Sequence, residues 1–209
     1  WSSDVCSSDL LKVYQSEWSM LGDGYGNEFV GFDNASYMDI ALYMSKVIHC
    51  DLVYANVSSW SYWTSLDLER WSHKNRFLLI KVTPAGGDYG DITQSGTHEA
   101  TKTLWVLGNY SLFIRPDYKR VELKMENTSK NLFGSAYLSP DGKKLVAVYT
   151  NLSSTRYDVR ADIGSAEVNS IKTYTTSQTQ DLAEAVVQNV GNSIFVNPAS
   201  VLTVVYDLK

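Results

Sequence analysis

The chain has 209 residues and a formal net charge of -5 with a pI near 5.2, a balance that excludes long-range attraction to nucleic acid or to an anionic membrane. Its composition, 44% hydrophobic and 20% charged, is that of a soluble globular protein, and no run of about 18 apolar residues offers a membrane-spanning helix. The 12% aromatic share, with 6 Trp and 14 Tyr, suits stacking on carbohydrate, and a neutral polysaccharide is indifferent to the charge.

The opening Trp1 to Leu10 reads as a short translated sequencing adapter and is set aside from the fold as an artefactual tail of residues 1–10. Cys6 lies in that tail, which leaves Cys50 without an intrachain disulfide partner. Next comes a short apolar strand, Val13-Tyr14-Gln15-Ser16-Glu17, which delivers one carboxylate, followed by Trp18. A loop rich in glycine (Gly22, Gly24, Gly26, Gly31) leads to Asn34, a helix cap, and to a helix from Ala35 to Cys50. Tyr37, Ile40, Ala41, Met44, Val47 and Ile48 fall on one face of that helix at three- and four-residue spacing. Leu52 to Trp63 reads as a second strand, parallel to the first and one β-α-β unit away.

A third apolar strand runs from Phe77 to Val82, followed by a turn-rich hairpin stretch through Gly86, Gly87, Gly90 and Gly96. A second helix spans Glu99 to Phe113, with Leu104, Leu107 and Ser111 on one face, and Pro116 stops it. Beyond Pro116 the period becomes two. Strands are expected at Arg120 to Met125, Ser135 to Leu138, Leu145 to Thr150, Tyr157 to Arg160, Ser170 to Thr175, Ser193 to Val196 and Leu202 to Tyr206, the pattern of an antiparallel β-sandwich. Asn-x-Ser/Thr sites begin at Asn34, Asn56, Asn109, Asn127 and Asn151, either glycan acceptors in a eukaryote or, as the favoured account, chance occurrences. His49, His73 and His98 have no metal-ligand spacing, Asp88 and Asp91 lack a calcium-loop pattern, and no cofactor is implied.

Three segments resemble glycoside hydrolase family 30 in the family's order: the strand ending at Glu17, Trp60-Ser61-Tyr62-Trp63, and Gly108 to Pro116. The likeness is nearest to the endo-β-1,6-galactanase-like branch. It implies an α/β plus all-β chain in which residues 11–116 are the C-terminal part of a (β/α)8 barrel, strands 7 and 8 with their helices, and residues 117–209 are the β-sandwich. A complete barrel takes about 250 residues, so the resemblance also implies a missing N-terminal part of the same polypeptide, a truncated fragment inactive as it stands, and an acid/base residue that is not in this sequence.

The resemblance makes Glu17 the nucleophile of a retaining mechanism. Trp63 corresponds to the second tryptophan of the family's Trp-x-x-Trp-Asn segment, beneath the sugar next to the cleaved bond, with Thr64 in place of the usual Asn. Trp60 and Trp18 are further substrate-binding candidates, and packing is the alternative for both. Where the family commonly carries Gly, this chain has Asp117, whose side chain tolerates the left-handed conformation. The implied substrate is a β-1,6-galactan or related β-glycan, met outside the cell or in the periplasm. The alternatives are β-1,6-glucanase, glucuronoxylanase (for which Arg70 or Lys74 would meet an acidic branch) or glucosylceramidase-type activity in the same fold, and a non-catalytic carbohydrate-binding protein.

Overall fold

The computed structural model describes residues 12–20, 34–68, 78–86, 95–126, 129–188, 191 and 193–209. Outside the described residues lie the adapter-like stretch, the loop through Gly22 to Gly31, Arg70 and Lys74, His73, the turn-rich stretch at Gly87 and Gly90, and the Asn127 site.

The first strand, β1 (Tyr14–Trp18), and the second, β2 (Ser59–Tyr62), pair in parallel, joined by helix α1 (Tyr37–Val53). The helix starts two residues later than expected from Asn34. Ser36 is its cap, because its hydroxyl accepts from the Asp39 N–H while the Asp39 carboxylate accepts from the Ser36 N–H, a closed capping box. Its C-terminal end runs past Cys50 to Val53, so the following strand is shorter than expected and Trp63 lies just beyond it. The buried stripe is also wider: Met38, Leu42, Ser45 and His49 join Ile40, Ala41, Met44 and Ile48, since α1 is covered on two sides. One side meets Trp18 and Tyr62 of the parallel pair; the other meets the second helix and the sheet described below.

A small sheet follows, β3 (Leu66–Leu68) parallel to β4 (Ile80–Pro84), which is antiparallel to β5 (Gly96–Ala100). Lys81 of β4 is buried and ion-paired at 2.8 Å with Glu99 of β5, and its ammonium sits 5.1 Å from the ring of Tyr37 on α1. Burial opposes the charge, but the hydrogen bonds and attraction of Glu99 and Tyr37 outweigh it and hold the lysine above its ordinary pKa. Helix α2 (Lys102–Ser111) then begins three residues later than its periodicity suggests. Glu99 and Ala100 belong to β5, and the Thr101 hydroxyl donates to the carbonyl oxygens of Leu78 and Leu79, tying the helix start to the small sheet. Its buried face carries Thr103, Val106, Asn109 and Tyr110, with Leu104 and Leu107 half-buried and Ser111 exposed.

After α2, Asp117 adopts a φ of 68°, the left-handed turn anticipated for it. The chain then forms a six-stranded antiparallel sheet in the order β11-β10-β13-β8-β7-β6. Its strands are β6 (Lys119–Val121), β7 (Leu132–Leu138), β8 (Lys144–Asn151), β10 (Val168–Ser177), β11 (Gln180–Val187) and β13 (Ser200–Leu208); β9 (Tyr157–Val159) and β12 (Ile194–Val196) pair separately. Strict alternation gives this sheet two buried faces. Val146 and Val148 of β8, with Val201 and Val205 of β13, meet the helices. Ala147, Tyr149, Leu202, Val204 and Tyr206 face the other way and pack with Ile194 and Val196 of β12.

Two differences from the sequence pattern have plain causes. The ladder of β6 stops at Val121 because Leu123 folds over β7, where a Cβ on Gly134 would lie 2.9 Å from Leu123 Cδ2 and 2.8 Å from Tyr149 Cδ1. Strand β11 was not expected, since Gln180-Asp181-Leu182-Ala183-Glu184 has little β-propensity. Its position comes from hairpin pairing with β10 and from α2: Lys102 Nζ donates to Asp181 at 2.6 Å, and Leu182 seats against Gly108.

Polar groups lock the helices to the sheet. The hydroxyl of Ser45 on α1 lies 2.9 Å from that of Tyr110 on α2 and 2.7 Å from that of Thr150 on β8, all three buried. Asn109 Nδ2 donates to Tyr174 O and to Thr203 Oγ1, and the Thr203 hydroxyl donates back to Asn109 O. Asn151 is likewise buried, its amide donating to Thr155 O and Asn197 O, so neither asparagine is open to a glycan in the folded chain, whereas Asn34 and Asn56 are exposed.

Ser45→Ala removes the hydroxyl common to both side-chain contacts, and a loss of about 1–3 kcal/mol in urea unfolding is expected. His49 sets a pH limit. Burial, and then the Arg120 charge, push its pKa down to about 4 from 6.5, among rings of Phe133 at 4.7 Å and Tyr54 at 5.8 Å. The unfolded chain therefore takes up the proton first, so the contribution of His49 to stability is complete above pH 6.5 and declines as pH falls to about 4. Thermal melts of wild type and His49→Gln across that window should show the smaller pH dependence in the variant.

Candidate active site

Glu17 lies near the C-terminal end of β1 and Trp63 directly after β2, so both stand at the same end of the parallel pair. The Trp63 N–H donates to Trp18 O at 3.0 Å, which places Trp63 beside the carboxylate strand. Glu17 is exposed and Trp63 is 41% exposed; the Trp63–Thr64 peptide is cis.

The pairing of β1 with β2 is irregular in a way that decides where these side chains point. Tyr14 pairs with Ser59, Gln15 with Trp60 and Trp18 with Tyr62, so three residue steps on β1 match two on β2. That is a β-bulge at Ser16 and Glu17. It keeps Gln15, Trp18, Trp60 and Tyr62 on the side facing α1, and leaves Ser16 and Glu17 exposed on the opposite side. Tyr14, 58% exposed, stands on that open side as well.

Trp18 and Trp60, anticipated at the sugar, are half-buried in the packing between strands and helix. Trp18 lies with its ring centroid 5.7 Å from that of Trp60 and 5.9 Å from that of Tyr62, and Trp60 lies 6.1 Å from Tyr62. Both tryptophans pack on the cluster that includes Met38, Met44 and Val106. The structure thus leaves Glu17 and Trp63 exposed at the same end of the strand pair and turns Trp18 and Trp60 toward the helix. Sequence reading missed Asp51, whose carboxylate accepts from Trp60 Nε1 at 2.8 Å. Its signal was position: a carboxylate in the last turn of a helix opposes the helix dipole, and this last turn has no basic residue. Among the described residues no group of three or more His, Cys, Asp or Glu is placed to hold a metal ion.

Solved structures share this fold. A conserved exported protein from Bacteroides fragilis matches with a TM-score of 0.77 at 28% identity, over 93% of this chain and 38% of that one. The catalytic domain of GH30 xylanase C from Talaromyces cellulolyticus matches with a TM-score of 0.71 at 20% identity, over 97% of this chain and 42% of that one. The GH30 endoxylanase from Clostridium papyrosolvens C71 gives 0.64 at 21% identity, over 94% and 42%. The fold is therefore one found in glycoside hydrolases, and this chain spans 38% to 42% of the length of these structures. Residues 2–75 match the family model described as O-Glycosyl hydrolase family 30, a match that begins within the stretch set aside as adapter-like. Over those residues the chain is thus similar to glycoside hydrolase family 30. No curated protein matches it.

The two faces make distinct fluorescence predictions. Trp63→Phe should remove more acrylamide-quenchable emission than Trp60→Phe, because the Trp63 ring is open to solvent and the Trp60 ring is packed and hydrogen-bonded. Equal losses in Stern–Volmer plots would contradict the orientation described.

Proposed function

We propose that the protein is a retaining O-glycosyl hydrolase acting on a β-1,6-galactan or a related β-glycan, with Glu17 as nucleophile and Trp63 as the platform for the sugar. The observation that carries this reading is the presentation of an exposed carboxylate and an open indole at the same end of two parallel strands joined by a helix. In a (β/α)8 enzyme the C-terminal rim of the strands is where reacting groups stand. On this reading β1 and β2 are the seventh and eighth barrel strands. The exposed Val13, Tyr14 and Leu66 belong to surface that the remaining strands of the same polypeptide cover.

The chemistry follows from the carboxylate. Glu17 attacks the anomeric carbon while a second carboxyl group, about 5–5.5 Å away, protonates the leaving oxygen; water then releases the sugar with the first configuration restored. The apolar face of the sugar lies on Trp63. The second carboxyl group comes from outside this sequence, so the isolated chain is inactive. Likeness to an exported protein supports work outside the cytoplasm, where polysaccharide is met.

The test uses the whole polypeptide on β-1,6-galactan, β-1,6-glucan and glucuronoxylan. Wild type should release product from the first of these, with the anomeric configuration retained by NMR, and Glu17→Gln should lose nearly all turnover while keeping its fold. An inverted product or a fully active Glu17→Gln enzyme would sink the proposal; turnover confined to xylan would overturn the substrate while keeping the mechanism.

A further inference from the structure

Trp60 faces the helix side and is held there by both a hydrogen bond and ring contacts. Its indole N–H is bound by Asp51, and its ring centroid lies within 6.1 Å of those of both Trp18 and Tyr62. Asp51 is a carboxylate at the end of α1 where the helix dipole disfavours one, so the hydrogen bond to Trp60 is the compensating interaction at that position.

The bulge in β1 explains what this pinning achieves. In a regular strand Glu17 shares a side with Gln15, which faces α1. The extra residue reverses this: Trp18 returns to the α1 side and Glu17 is turned outward. A slip of one residue would undo the reversal, and what opposes the slip is the seat of Trp18 against Trp60 and Tyr62. We propose that Trp60, pinned by Asp51, is a positioning residue that holds Trp18 on the helix side and so keeps the bulge aiming Glu17 at the open face. This rests on the reading of Glu17 as nucleophile.

The test compares Trp60→Phe, Asp51→Ala, Asp51→Asn and Glu17→Gln in the whole polypeptide, assayed well below their melting temperatures with near-UV circular dichroism to confirm folding. Displacing a reacting group by about 1 Å costs on the order of a hundredfold. Trp60→Phe and Asp51→Ala should therefore lower kcat roughly ten- to a hundredfold with little change in KM, because Trp63 and the sugar contacts remain. Asp51→Asn, which keeps an acceptor oxygen for the indole, should restore most of kcat. If Glu17→Gln is inactive while Trp60→Phe and Asp51→Ala keep wild-type kcat and lose only thermal stability, the positioning role is overturned and the nucleophile stands. If Glu17→Gln is fully active, both readings fall together. Should Trp60→Phe not fold, the contrast between Asp51→Ala and Asp51→Asn decides, since equal kcat in the two also overturns the proposal.

Discussion

The two-sided burial of α1 is the constraint on which the other parts of this chain depend. One side of the helix packs Ile40 with Met20 and Leu78 beneath the parallel strands, and the other packs Met38, Leu42 and Ile48 with Val106 of α2 and the valines of β8 and β13. A helix covered on both sides cannot rotate without exposing one set of apolar side chains. Ser45 makes the orientation specific, because its hydroxyl meets Tyr110 of α2 and Thr150 of β8 in a space closed to water. Helix propensity contributes little to such an arrangement; tertiary burial supplies it.

The six-stranded sheet is the complementary rigid body. Period-two alternation in β8 and β13 gives one face to the helices and the other to β9 and β12, so the strands are buried on both sides and their register is strongly specified. Edge strand β11 grips α2 through Lys102, Asp181 and the contact of Leu182 with Gly108. Helices and sheet therefore form one interlocked body, and the parallel strand pair is docked on it through α1.

The candidate site inherits its geometry from that docking. Trp18, Trp60 and Tyr62 fill the space between the strands and α1, which leaves Glu17 on the side away from the helix and Trp63 exposed just beyond β2. Of the three tryptophans Trp18, Trp60 and Trp63, the first two thus support the strand pair and the third is exposed.

Much of this was legible in the amino-acid sequence, because it is carried by local pattern. The strand with Glu17, the helix with its apolar stripe, the tryptophan strand and the run of alternating strands after Pro116 are all periodicities that neighbouring residues impose on one another. The left-handed turn at Asp117 followed from the family resemblance, in which Gly commonly stands at that position and Asp tolerates the conformation. Tertiary structure alone decided the rest. Ser36 and not Asn34 caps α1, since a reciprocal bond with Asp39 is available to one and not the other. Strand β11 exists because α2 and β10 hold a segment with weak intrinsic preference. Which side Trp18, Trp60 and Glu17 occupy was beyond the pattern, because one unpaired residue in a ladder inverts every direction after it, and only packing against α1 determines that the residue is there.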